Sequence, residues 1–215
     1  MLEERRNPNA PQADPELVAA FRALPVANIS DNLHRIVGAV GVRPFHDGTA
    51  MAGTALTVRV RAGDNRAIHE ALEMVRPEDV IVVDGGGDES RALVGEIMTS
   101  VAQMRGAAGM VLDSAVRDVE ALGRSSFPCF ARAGIHLGPY KNGPGEINVP
   151  VTIGGMLVNP GDIVVGDADG VVAFSPDIAP ALLEATRAQS DKEAEILEGI
   201  ARGHYTGAYA APAKA

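Results

Sequence analysis

The chain has 215 residues, a formal net charge of −9, one cysteine and no tryptophan. This length is typical of a single domain with a substantial core. The acidic balance disfavours nucleic acid as a partner, because phosphate backbones attract a basic face. Cys129 cannot form an intramolecular disulfide, and its apolar neighbours indicate a small buried hydrophobe. With no apolar run of membrane-spanning length (~18 residues) and no signal-peptide pattern, we expect a cytoplasmic protein without membrane contacts.

The first third of the chain predicts alternating helices and strands. Residues 1–14, rich in proline, asparagine and charge, predict a flexible arm. Apolar periodicity and turn residues then predict a helix at 16–24, a second helix capped by Ser30 and Asp31, a strand at 51–60, a helix at 65–74 and a turn from Pro77.

Residues 80–104 predict a strand, a glycine turn and a helix. The strand covers 80–83 and the turn 85–87, while apolar residues recur at helical spacing from Ser90 (Leu93, Ile97, Val101 and Met104). N–H groups in such a turn favour anions. A dinucleotide site is disfavoured, because the glycine fingerprint breaks at Ser90. A small carboxylate is the better ligand, and a purely structural turn is the alternative.

The pair Arg117-Asp118 is the most informative feature of the sequence. It follows a short apolar run, 109–112, that predicts a buried strand, with Ser114 and Ala115 small enough for a turn and a helix starting near Val116. Such a pair would lie at the carboxyl edge of the sheet, where open α/β folds bind ligands. Arginine offers a fork for a carboxylate and aspartate a hard oxygen for a divalent cation. The alternative is an ordinary surface ion pair.

The remaining sequence completes one α/β domain over residues 15–204, with a mixed sheet and a flexible tail at 205–215. Residues 134–150 predict a long loop or bulged ribbon. Further elements are predicted as strands at 128–131, 151–158, 162–166 and 170–174 and a long helix at 176–200.

Several of these segments together resemble the RraA-like superfamily, and especially its 4-hydroxy-4-methyl-2-oxoglutarate (4-carboxy-4-hydroxy-2-oxoadipate) aldolase branch. The matching motifs are PVANISD from Pro25, MAGTALTV from Met51, GDN from Gly63, GEIM from Gly95, DSAVRD from Asp113, NPGD from Asn159 and GDADGV from Gly166. The resemblance implies a β/α/β sandwich like the phosphohistidine swivelling domain. It also implies trimers, often paired into hexamers, with active sites between subunits.

The resemblance also implies roles for individual residues. Asp118 would bind the metal directly, and Glu96, where aspartate is commoner, would contact it through water. Arg117 would bind the substrate, with Gly95, Lys141 and the backbone N–H groups of Ile97 and Met98. Glu193 would reach the site of a neighbouring subunit.

Two routes could stabilise the carbanion that an aldolase generates. A Schiff base needs a lysine in an apolar setting, which none of the lysines has (Lys141, Lys192 and Lys214). A divalent metal used as a Lewis acid needs only a carboxylate and water, an arrangement typical of Mg²⁺ or Mn²⁺. Zinc is disfavoured, because the histidines lack ligand spacing (His34, His46, His69, His136 and His204). We expect His69 to be a capped or core histidine, and Asp167 and Asp169 to belong to a hairpin turn rather than a calcium site.

Two hypotheses remain open. The first is a metal-dependent aldolase that cleaves a 4-hydroxy-2-oxo dicarboxylate to pyruvate and a second oxo acid, with oxaloacetate decarboxylation as a side activity. The second is a non-catalytic regulator that binds a ribonuclease or another partner. Since the regulatory branch commonly lacks the aspartate of the Arg-Asp pair, Asp118 favours the enzyme.

Overall fold

The structure, a computed structural model, describes residues 4–33, 38–205 and 207. Helices and strands alternate through the first two thirds, and short strands precede a final long helix. The helices are α1 (Pro15–Arg22), α2 (Val26–Asn32), α3 (Arg66–Leu72), α4 (Glu96–Met104), α5 (Val119–Gly123) and α6 (Ala179–Ala201), the last preceded by a 3-10 turn (Pro176–Ile178). The strands are β1 (Arg43–Pro44), β2 (Met51–Val60), β3 (Asp79–Val94), β4 (Gly109–Val116), β5 (Cys129–Ala131), β6 (Ala133–Gly134), β7 (Gly145–Ile147), β8 (Val151–Ile153), β9 (Met156–Val158), β10 (Ile163–Asp167) and β11 (Gly170–Phe174).

One mixed sheet organises the described chain, in the order β1-β5-β4-β3-β2-β10-β11. Strands β2, β3, β4 and β5 are parallel neighbours, whereas β10 and β11 form an antiparallel hairpin against β2. This confirms the predicted mixed α/β fold. It also confirms the hairpin reading of Asp167, which pairs with Gly170.

Alternating side chains of the central strands build a core on each face of the sheet, as the two-residue period of a strand requires. Ile81 and Val83 of β3 pack with Ile68 of α3 and Ala102 of α4. Val80 and Val82 face the opposite way, toward β8 and β9, which form a separate two-stranded sheet. Because both faces are covered, the central strands are apolar throughout rather than alternating.

The site-bearing segment 80–104 departs from its prediction. Strand β3 continues to Val94 through several register shifts, and Gly86 and Gly87 adopt left-handed φ angles of 69° and 71° within it. The glycines therefore form a bulge rather than a strand-to-helix turn, and the helix predicted from Ser90 begins only at Glu96. The predicted apolar face is also wrong, since Ile97 and Met104 are 76% and 75% exposed.

Three smaller predictions also need correction. Ser114 and Ala115 continue the buried strand β4 and form no turn. Helix α2 starts at Val26, after Pro25, so that Ser30 and Asp31 lie within it and do not cap it. The strand predicted at 151–158 is a hairpin, because Gly154 and Gly155 turn the chain between β8 and β9.

The described part of the predicted flexible arm, residues 4–14, is bound to the domain. Arg6 forms an ion pair with Glu70, Asn9 donates to the carbonyl of Met74 at 2.8 Å, and Arg76 donates to the carbonyl of Ala10 at 2.9 Å. These contacts correct the prediction of a flexible arm for residues 4–14. Polar groups of the arm and of the domain are paired with each other, so this stretch is held in place. Residues 1–3 and nearly all of the predicted tail lie outside the described residues, as do His34 and Lys214.

No helix in the described ranges is both long and apolar enough to cross a bilayer. Cys129 is buried in β5, and this burial raises the pKa of its thiol to about 12. Its predicted role as a small hydrophobe is confirmed.

Candidate active site

The site is built where β3 and β4 end side by side. Val94 pairs with Val116 at the ends of these strands, and the N–H of Arg117 donates to the carbonyl of Val94 at 3.0 Å. Asp118 follows with a left-handed φ of 59°, a conformation that aspartate tolerates better than most residues. Parallel pairing thus brings the start of α4 against the Arg-Asp pair, although 20 residues separate them.

Asp118 occupies the N-cap position of α5, yet its side chain does not cap that helix. Its Oδ2 instead accepts a hydrogen bond from the N–H of Glu96, the first residue of α4, at 3.0 Å. The same oxygen lies 3.8 Å from Nε of Arg117, and both side chains are nearly half exposed. Since these contacts within the described chain use Oδ2, Oδ1 remains open to a ligand.

Position 95 has no room for a side chain, so glycine is required there. It lies in extended backbone immediately before α4, and a Cβ there would collide with Oδ2 of Asp118 and lie 2.9 Å from Cγ of Arg117. Any side chain at this position would displace the carboxylate and the guanidinium together. Gly95 therefore permits the close approach of α4 to the pair, and its predicted part in substrate binding stays a prediction.

One cavity of about 120 Å³ gathers most of the predicted site residues. Drug-sized ligands occupy clefts of roughly 300–1,000 Å³, so this volume suits a small acid better than a dinucleotide. The predicted residues that line it are Gly95, Ile97, Met98, Arg117, Asp118 and Lys141, joined by Asn65, His69, Ala92, Leu93, Val94 and Pro139.

The first turn of α4 offers fewer free donors than predicted. The N–H of Glu96 is bound by Asp118, and that of Met98 donates to the carbonyl of Gly95 at 3.1 Å. Within the described chain, the N–H of Ile97 has no such partner. Glu96 is exposed and its side chain does not line the cavity, so its predicted water-mediated contact with a metal stays a prediction.

Lys141 is held at the cavity by a loop fastened to Asp64. The Asp64 carboxylate, 1% exposed, accepts N–H groups of Asn142 and Gly143 at 2.8 and 2.9 Å. Burial raises the pKa of Asp64, but these N–H groups, that of Arg66 and the charge of Arg61 outweigh it and lower the pKa overall. The ionised carboxylate of Asp64 thus holds the loop that brings Lys141 to the cavity.

The sequence prediction missed Asn65 and His69 as cavity residues. Asn65 precedes α3 in the GDN motif, and His69 lies one turn later on the same helix. His69 is exposed rather than a core residue, which corrects its prediction. Although the residue as a whole is exposed, partial burial of the ring lowers the pKa of His69, and the charge of Lys141 lowers it further. Their spacing of four residues on a helix was the signal available.

A second cleft opens on the other side of the Arg-Asp pair, so that Arg117 and Asp118 form a ridge between two concave surfaces. Val119, Gly134, Ile135 and His136 line this second cleft. Glu193 lines neither cleft in the same chain. It lies on α6, where it accepts hydrogen bonds from Asn28 and Gln189, both at 2.9 Å.

The donor set fits a hard divalent cation better than zinc. In the described residues no three acidic, histidine or cysteine side chains converge as a metal site. Asp118 offers one exposed carboxylate oxygen beside a cavity, which suits Mg²⁺ or Mn²⁺ because these ions keep several water ligands. Zinc sites draw three or four ligands from the protein.

Together these features define an α/β protein with a small cavity at the carboxyl edge of parallel strands, lined by an arginine, an aspartate and the first turn of a helix. The model of the RraA-like family, described as Aldolase/RraA, matches residues 26–173. The chain belongs to this family.

The chain resembles one curated protein in sequence and two solved structures in fold. A protein of Halalkalibacterium halodurans named "Putative 4-hydroxy-4-methyl-2-oxoglutarate aldolase" is 38% identical over 185 residues, covering 85% of this chain and 88% of its own. An uncharacterised protein from Pseudomonas syringae superposes with a TM-score of 0.80 at 26% identity, over 93% and 97% of the two chains. The RNA-processing inhibitor RraA from Thermus thermophilis superposes with a TM-score of 0.64 at 31% identity, over 70% and 92%.

Proposed function

We propose that this protein is a divalent-metal-dependent aldolase that cleaves a 4-hydroxy-2-oxo dicarboxylate to pyruvate and a second oxo acid. The observation that carries the proposal is the cavity that Arg117, Asp118 and the start of α4 share. The name of the Halalkalibacterium relative supports the same reaction class.

Arg117 binds the pyruvyl end of the substrate in this proposal. Its planar guanidinium fork matches a carboxylate or an enolate oxygen beside a carboxylate. The N–H of Ile97, at the positive end of α4, offers a second donor. As charge develops on the 2-oxo oxygen, these fixed donors stabilise it without reorganisation.

Asp118 would hold the cation, with Glu96 as an outer partner through water. When bound, Mg²⁺ or Mn²⁺ would polarise the 2-oxo group as a Lewis acid. Asp118 is suited to this role because Glu96 N–H orients its carboxylate through Oδ2 and leaves Oδ1 unoccupied within the described chain. Lys141 would attract the distal carboxylate of the substrate to the mouth of the cavity.

The cleavage also requires removal of the hydroxyl proton, and we assign this role to a water or to Glu193 of a neighbouring subunit. Glu193 lines neither cleft of its own chain, so the assignment requires self-association into a trimer or hexamer. Exposed apolar residues around the ridge support such an interface: Ile97 is 76% exposed, Val119 43% and Leu137 42%. Decarboxylation of oxaloacetate passes through the same pyruvate enolate and is the expected side activity.

The likeness to the Thermus RNA-processing inhibitor keeps regulation of a ribonuclease as the second candidate function. A regulator would need neither the open carboxylate of Asp118 nor a metal. The two candidate functions therefore differ in whether the cavity catalyses a metal-dependent reaction.

A direct assay separates them. Purified protein is incubated with Mg²⁺ or Mn²⁺ and a panel of 4-hydroxy-2-oxo acids, with pyruvate release as the readout. The aldolase proposal predicts turnover that EDTA abolishes and added metal restores. Full activity in EDTA contradicts the metal, and the absence of turnover over the whole panel contradicts the aldolase.

A further inference from the structure

Asn65 carries a polar atom that the fold leaves without a partner. Its side chain is buried, with 3% exposure, and lines the same cavity as Arg117 and Asp118. Its Nδ2 donates to the carbonyl of Leu93 at 2.9 Å and lies 3.4 Å from Sδ of Met98. Its Oδ1 is buried and accepts no hydrogen bond from the described residues.

The orientation of this amide is determined by its surroundings. If the amide were flipped, Oδ1 would face the carbonyl oxygen of Leu93, and two acceptors would meet without a hydrogen between them. Oδ1 must therefore point away from Leu93. A buried acceptor left unpaired costs about 1–3 kcal/mol, so this atom would gain from any donor that can reach it.

The chemistry of the ligand limits what that donor can be. The carboxylates and the 2-oxo group of an oxo dicarboxylate are all acceptors at neutral pH. An alcohol is the one group of a 4-hydroxy-2-oxo acid that can donate. Arg117 and Lys141 line the same cavity and could donate, but neither forms a hydrogen bond with Oδ1.

We propose that Asn65 is a specificity residue whose Oδ1 accepts a hydrogen bond from the 4-hydroxyl of the substrate. The proposal rests on the aldolase function proposed above. Asn65 would select hydroxy-substituted acids over acids of the same length that lack the hydroxyl. As a neutral amide it positions the hydroxyl and takes no proton. An analogue without the hydroxyl would leave Oδ1 buried and unpaired, which is how such sites discriminate.

Two substrates with different needs provide the first test. Asn65→Ala should lower kcat/KM for 4-hydroxy-2-oxoglutarate by at least ~10-fold, the equivalent of one hydrogen bond. Oxaloacetate has no hydroxyl in its oxo form, so its decarboxylation should change by less than about threefold. Equal losses for both substrates would indicate a structural role and overturn the proposal.

Asn148→Ala is the matched control. Asn148 is also buried, at 5% exposure, and its Oδ1 also lacks a partner in the described chain, but it lies outside the cavity and binds the arm through Asn7 and Asn9. Its removal should destabilise the protein without changing the ratio of the two activities. A shifted ratio in this control would mean that selectivity follows stability rather than Oδ1.

A binding measurement separates this inference from the aldolase proposal. It uses the wild-type protein, so it does not depend on whether a variant folds. Calorimetry compares 2,4-dihydroxyglutarate with 2-hydroxyglutarate, which lack the 2-oxo group and are not cleaved. With Mg²⁺ present, the wild-type protein should bind the first about tenfold more tightly, matching ~1.4 kcal/mol. If the protein shows this preference but forms pyruvate from no substrate, the aldolase proposal is refuted. Asn65 would then still be a residue that binds the hydroxyl group of a hydroxy acid. Equal affinities, or no binding of either acid, would refute the role of Asn65.

Discussion

Strand β4 carries the aspartate of one Arg-Asp pair within its length, a second Arg-Asp pair follows just beyond its end, and the two pairs differ in burial and in distance. Asp113 lies inside the strand, with its side chain 8% exposed, and pairs with Arg132 at 2.5 Å. Asp118 follows the strand, with its side chain 41% exposed, and lies 3.8 Å from Nε of Arg117. The inner pair is closed and partly buried, whereas the outer pair is open and faces two clefts.

The difference shows which charges are available for chemistry. A closed, poorly solvated pair has satisfied its charges against each other, and losing one partner leaves the other buried and uncompensated. An exposed pair at longer range contributes little to stability, so its charges can turn to a ligand. The inner pair should therefore affect folding, and the outer pair should affect catalysis.

Asp118→Ala should produce the largest effect, a loss of pyruvate formation of at least ~10³-fold, because it removes the proposed metal ligand and its Lewis-acid effect of several kcal/mol. Asp118→Asn keeps the oxygen that accepts Glu96 N–H and suits the left-handed backbone, so it should fold like the wild type and be similarly inactive. Pyruvate release and thermal melting of both variants provide the measurement. Retained activity in Asp118→Asn would exclude a role for the carboxylate charge.

Asp113→Ala should give the opposite result. Because Arg132 would remain partly buried without its carboxylate, we expect a loss of about 3 kcal/mol in the free energy of unfolding. At temperatures where the variant is folded, kcat/KM should stay within about threefold of the wild type. Urea denaturation followed by circular dichroism measures the loss. An unchanged midpoint would mean that the inner pair does not stabilise the fold.

Arg117→Lys tests the guanidinium group of the outer pair by itself. Lysine keeps the positive charge but loses the planar fork, so we expect a fall of at least ~10-fold in kcat/KM, about 1.4 kcal/mol of transition-state binding. The free energy of unfolding should change by less than about 0.5 kcal/mol, because the residue is nearly half exposed. Kinetics equal to the wild type would remove Arg117 from the site.

The smallest predicted signal comes from mixing inactive subunits. If Glu193 acts on a neighbouring site, Asp118→Ala and Glu193→Ala protomers mixed under conditions of subunit exchange should regain partial activity, since some interfaces would join two intact halves. Pyruvate release before and after exchange measures the gain. A mixture that stays inactive after verified exchange, or a fully active monomer, would contradict the shared site.

Sequence alone determined the outline of the fold and half of the residues that line the cavity. Apolar strands such as β2 can be predicted because their local composition shows up directly in the hydrophobic pattern. The same pattern places the Arg-Asp pair just after a buried strand. Arg117 and Asp118, named from the sequence pattern, line one cavity together with Gly95, Ile97, Met98 and Lys141, which the family resemblance implies.

Only the tertiary structure decided where α4 begins and which of its faces is buried. Residues 84–94 carry glycines and helical spacing, but pairing with β4 keeps them extended up to Val94, so a long-range contact overrides a local preference. Asn65 was missed for a related reason. The orientation of its amide is fixed through Nδ2 by Leu93 of strand β3 and Met98 of helix α4, at least 28 residues further along the chain, and this is what leaves Oδ1 without a partner.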